Sequence, residues 1–150
     1  MKKRQLLFTI FGILPSVFAQ AKPLAVPQGF VRELPASALN TAAYVTLNNP
    51  NQVDKVIVAI STPVADSVLF HRMVPTENNY SMAKDKQLVV PAQGSLALKA
   101  TQKHLMLMQL KSALKLGQMI PFTLSFKDGS KQTIHLPVQN SRMTHRKNKP

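Results

Sequence analysis

From residue 42 to residue 139 the chain is a succession of short apolar runs, rich in Val, Ile, Leu, Thr and Phe, cut apart by turn chemistry. Runs of five to eight residues with β-branched content make strands rather than helices of ordinary length. The pattern predicts strands over 42–48, 54–62, 67–74, 87–91, 95–100, 104–110, 119–126 and 131–138, with a further one near 29–34. The interruptions are Asn48-Asn49-Pro50-Asn51, Pro75 to Asn79, Pro91-Ala92-Gln93-Gly94 and Asp128-Gly129. The Asp-Gly pair favours a tight hairpin, so 119–126 is expected to fold back on 131–138. Alternation puts Val56, Val58 and Ile60 on one face of their strand, Leu96 and Leu98 on one face of theirs, and Ile120, Phe122, Leu124 and Phe126 likewise. Eight or nine strands in about 120 residues imply an all-β, two-layer Greek-key sandwich. Segment 111–117 reads as a short helical turn ending at Gly117.

Composition then removes whole classes of chemistry. Among 150 residues there is no cysteine, so disulfides, thiolate zinc sites, iron–sulfur clusters and Cys nucleophiles are all absent. Only six acids occur, well separated, which gives little local support for paired-carboxylate hydrolysis or oxygen-rich cation loops. The formal charge of +13 is concentrated at the ends: Lys2, Lys3 and Arg4 at one, Arg142, Arg146, Lys147 and Lys149 at the other. The body keeps twelve scattered cations against six acids, without Trp and without aromatic–basic interleaving. Nucleic-acid binding therefore has no platform.

Residues 1–21 have a cationic start, an apolar run from Leu6 to Phe18 and small residues at the far end, the layout of a secretory signal peptide. The run is short of the roughly 20 residues that span a bilayer. Cleavage is expected after Ala19 or Ala21, leaving a folded domain over 22–141 and a basic, disordered tail over 142–150. A lipid-anchored form lacks its attachment cysteine, so no stable membrane insertion is expected after cleavage.

Three of the four His residues have a Met two positions away: His71 with Met73, His104 with Met106, and His145 with Met143. On a strand, residues i and i+2 share a face, so His71 emerges with Met73, and His104 with Met106 and Met108. Two neighbouring strands could present imidazoles and thioethers to one small volume, with Met82, placed in a loop after Tyr80, closing over it. Thioether and imidazole together favour Cu(I) over hard cations. Alternatively Met fills gaps in cores, and a single strand His is a hydrogen-bonded structural residue. Met108 reads as such a core filler, and His135, with no Met at i±2, as structural.

His71, ten residues, Met82, twenty-one residues, His104, one residue, Met106 resembles the motif of the periplasmic PCu(A)C copper chaperones at every spacing, and Met73 fills its optional Met. The likeness runs from about Ala42 to Val138 and includes Ala43-Tyr44, Asn49-Pro50, Ser61-Thr62-Pro63-Val64-Ala65 and His104-Leu105-Met106-Leu107-Met108. It implies a cupredoxin-like sandwich that binds one Cu(I) per chain through His71, Met82, His104 and Met106, with Met73 just behind them. It also implies a non-enzymatic role: delivery of copper to an acceptor protein, the CuA centre of cytochrome oxidase subunit II or another copper chaperone. Arg72 departs from the family by replacing a frequent acid, making the site's surroundings more cationic. The tail carries only Met143 and His145 of the His/Met-rich extension that binds Cu(II) in some relatives. The reading from another class is a secreted β-sandwich adhesion or assembly module without metal, in which the same His and Met are packing residues.

Overall fold

A computed structural model describes residues 21–140. They form ten strands and no helix: β1 (Ala25–Arg32), β2 (Thr41–Asn48), β3 (Lys55–Ser61), β4 (Ala65–Pro75), β5 (Tyr80–Asp85), β6 (Leu88–Val90), β7 (Ser95–Leu98), β8 (Lys103–Leu110), β9 (Met119–Phe126) and β10 (Lys131–Gln139). The all-β expectation is met. The signal peptide and the tail bearing Met143 and His145 lie outside the described residues, apart from Ala21.

Hydrogen bonding runs β5-β4-β8-β2-β1-β10-β9-β3-β6, with β7 pairing the remaining length of β2. A short parallel contact, Val31 with Val138 and Arg32 with Gln139, joins one layer (β5, β4, β8, β2, β1) to the other (β10, β9, β3, β6). The layers then fold over each other, so that β3 packs against β4 and β6 against β7 without pairing. Between them lies one core, with Val31, Val45, Leu47, Leu105 and Leu107 from one layer and Ile57, Ile120, Phe122, Leu124 and Leu136 from the other. Strands β2, β8, β9 and β10 give alternate residues to this core, as a sandwich requires.

Polar residues fix the turns. Asn49, almost fully buried, donates from Nδ2 to the carbonyls of Val53 and Val90 and accepts from the Asn51 amide, which ties the β2–β3 turn to β6. The β9–β10 hairpin closes through Lys127, Asp128 and Gly129, with only Gly129 in the left-handed region (φ 82°). Its Asp128 carboxylate accepts from the buried Lys55 at 2.7 Å, and the Lys55 ammonium lies 5.2 Å from the Phe126 ring centre. A buried lysine on β3 is thus paired rather than stranded.

Three local expectations are corrected. Residues 80–85 form a strand, not a loop. Segment 111–117 is irregular, with a turn in which the Gln118 amide donates to Lys115 and Gly117 takes φ 79°. On β3 a register shift between Ile57 and Ala59 breaks the alternation, so Ile57 and Ile60 are buried while Val58 is exposed. An extra residue in one strand reverses the face of everything beyond it.

Gly29 on β1 sits where a methyl group would meet Leu136 Cδ2 at 2.8 Å and both the Tyr44 carbonyl and Val45 Cγ2 at 3.0 Å. Two of those three neighbours belong to the closely packed β1–β2 pair, so the clash is not relieved by one rotamer change. Gly29→Ala is expected to lower stability by about 1–3 kcal/mol, the range for overpacking, measured by urea unfolding.

Candidate metal centre

The antiparallel register of β4 and β8 sets His71 opposite His104, Leu69 opposite Met106 and Ser67 opposite Met108. On its other side β4 pairs with β5, which sets Met82 opposite Met73 and Lys84 opposite His71. Val68, Phe70, Leu105 and Leu107 fill the core. Their neighbours His71, Met73, His104, Met106 and Met108 therefore share the outer face of the sheet. The two imidazoles meet edge to face with ring centres 5.9 Å apart. His71 is the hub: His104 is its direct partner, and Met82 and Met106 are its diagonal neighbours, at the roughly 7–8 Å that long side chains bridge. A row of rings continues across the face, with Tyr44 at 6.4 Å from His104 and Phe30 at 5.2 Å from Tyr44.

Neither ring nitrogen of the half-buried His71 has a hydrogen-bond partner, and neither does Nδ1 of the buried His104. Buried polar atoms are normally satisfied; here three imidazole nitrogens are left open beside thioethers on one face. Burial lowers the pKa of His71, and the Lys84 ammonium across the strand lowers it further. Burial also lowers that of His104, as does His71, while the nearby Gln102 backbone acts in the opposite sense. Both shifts favour the neutral ring, the state in which imidazole is a ligand.

The cation expected to crowd the site lies elsewhere. Arg72 is one residue from His71 and so points to the opposite face, where its Nε donates to Asp85 at 3.0 Å; Lys103 lies 2.9 Å from the same carboxylate. Lys103 and Arg72 hold the Asp85 carboxyl below its ordinary range. The cation on the outer face beside His71 is Lys84, which the sequence reading passed over because it lies on the strand taken for a loop.

Met82 is thus a strand residue, 60% exposed, on the edge of the sheet, rather than a loop residue. Met73 faces it directly. Met108 shares the outer face with Met106 and is not a core filler. His135 is exposed on β10, in the other layer. Among the described residues no three of His, Cys, Asp and Glu converge as a metal group. The donors that share this face, two imidazoles and thioethers, suit a soft, low-charge ion.

A family model for LpqE-like proteins, described as candidate lipoproteins, matches residues 24–138. The chain belongs to this family. A second candidate lipoprotein, Lxx21020 of Leifsonia xyli subsp. xyli, is 31% identical over 122 residues, covering 81% of this chain and 72% of that protein. Among solved structures, apo-DR1885 from Deinococcus radiodurans superposes with a TM-score of 0.63 at 30% identity, covering 94% of this chain and 95% of that one. The Cu(I) form of DR1885 superposes at 0.61 and 33%, covering 82% and 83%. The copper-bound PCuAC domain of PmoF2 reaches 0.67 at 15% identity, covering 80% and 95%, and shows the shared fold. The LpqE-like family is the PCu(A)C-type family, and the cupredoxin-like sandwich expected from the sequence is its fold.

With His71 and His104 depressed below 6.5, the folded chain takes up protons less readily than the unfolded one. Stability from these rings is full above about pH 6.5 and falls as pH drops through and below it. Urea unfolding of the apo protein at pH 7.5 and pH 5 is expected to show a smaller loss for the His71→Gln, His104→Gln double variant than for wild type.

Proposed function

We propose that this protein is a periplasmic copper chaperone that binds one Cu(I) through His71, Met82, His104 and Met106 and passes it to an acceptor by ligand exchange. The observation that carries the reading is the facing pair of imidazoles with open nitrogens, on one sheet face with thioethers. It occurs in a chain 33% identical to DR1885, whose structure has been solved with Cu(I). Residues 1–21 serve as the export signal, cleaved after Ala19 or Ala21, and 22–141 as the copper-binding domain.

The chemistry follows from the donors. Imidazole and thioether are uncharged, so the ion keeps its positive charge and is held without the depth of a thiolate site. Met82 stands at an exposed edge, where an incoming donor can take its place before the buried His104 lets go. Transfer needs neither a change in copper oxidation state nor a catalytic base, which accords with a non-enzymatic role. The acceptor is a copper protein: the CuA centre of cytochrome oxidase subunit II or another chaperone. A metal-free adhesion module would leave the open nitrogens of His71 without a purpose.

Anaerobic competition against a Cu(I) chelator is expected to give one ion per mature chain. His104→Ala or Met106→Ala should weaken binding at least tenfold, about 1.4 kcal/mol. X-ray absorption without a sulfur neighbour at copper would overturn the assignment. Met82→Leu should weaken binding more than Met73→Leu; the reverse order, with circular dichroism unchanged, would move Met73 into the ligand set. Since only the imidazoles titrate, affinity should be flat above about pH 6.5 and fall as both rings protonate below it.

A further inference from the structure

On β8, Met108 follows Met106 by two residues on the same outer face, about 6.8 Å further along the strand. Its cross-strand partner is the exposed Ser67, while the partner of Met106 is Leu69. Core packing at this level belongs to Leu105 and Leu107, both fully buried, so the half-buried Met108 has no share in it. On the β4 side the serine hydroxyl opposite it gains nothing from a thioether that a leucine would not supply. Each Met has three rotatable bonds and a soft donor at the end.

We propose that Met106 and Met108 form a second, weaker position for Cu(I), sharing Met106 with the His71 site and lying one step along β8 from it. The inference rests on the copper reading above and extends it. Two neutral thioethers without imidazole bind a soft monovalent ion but cannot match the mixed site. Occupancy there therefore follows filling of the first. Nothing is oxidised or reduced, and the only bonds that change are those between metal and neutral donors. The cationic Lys84 lies two strands away and two rows along, so this position escapes the charge that faces His71.

The mature apo protein with 13C-methyl-labelled Met, titrated with Ag(I) as a redox-inert probe, tests this residue by residue. The first equivalent should move the methyl signals of Met82 and Met106, and further equivalents those of Met106 and Met108 together. Met108→Leu, close in volume, should leave the first affinity within about twofold and weaken or remove the second step at least tenfold. A second step that instead moves Met119 or Met143, or one that survives Met108→Leu, overturns the proposal while the first site stands. Failure of the copper reading is distinct: Met82 and Met106 would then stay unmoved by the first equivalent.

Discussion

Everything at the candidate site depends on the register between β4 and β8. Strand side chains have a period of two, so a slip of one residue would turn either His71 and Met73 or His104 and Met106 into the core, and expose Phe70 or Leu105 and Leu107 in exchange. The apolar residues are what forbid that slip. Register is also marked by charge. Arg72 lies directly opposite Lys103, a like-charge pair that is unfavourable by itself. Asp85 on β5 binds both. Such partly exposed ion pairs contribute little stability each, but this carboxylate is shared by three strands and reaches both cations only when they are aligned. It thus fixes β5, and with it Met82, against the two strands that carry the histidines.

The same periodicity separates stability from function. One face of β4 and β8 is committed to a packed core, and the other carries groups whose chemistry would be costly inside it. Thioethers and neutral imidazoles tolerate the half-buried outer face because they need little solvation, and the row of Phe30 and Tyr44 limits water access from the β2 side. Burial acts on both rings, and Lys84 on His71, in the same direction, toward the unprotonated form. A carboxylate in place of any of these donors would bind a proton or a hard cation instead.

What was legible in the sequence was what depends on local spacing. The His-x-Met pairs sit on one face because i and i+2 always do, and the apolar runs became strands where they were strong. Strand β5 was not legible: Tyr80–Asp85 has neither an apolar run nor alternation, being an edge strand whose first three residues are all exposed. The face reversal on β3 needed knowledge of a bulge that no residue in Lys55–Ser61 announces. Arg72 was misplaced because neighbours in sequence were read as neighbours in space, when a strand sends them to opposite faces. Tyr44 and Lys84 are close to the histidines only through pairings of β2 and β5, which depend on topology rather than pattern.

The four proposed ligands are not held alike. His71 lies on β4, paired on both sides, and His104 and Met106 lie on β8, paired with β4 and β2. Met82 belongs to the terminal strand of the sheet, paired on one side only. Moving a donor on a doubly paired strand disturbs two ladders and the core beneath. Moving Met82 disturbs at most one ladder, and its exposed side chain can rotate without disturbing any. Opening from the edge therefore costs least, and on the proposed ligand set it would leave an ion on three better-fixed donors. An edge strand is ordinarily a liability for aggregation. Here its shortness and its exposed Lys84 limit unwanted pairing, while the low cost of displacing Met82 would provide the open side that the proposed exchange requires.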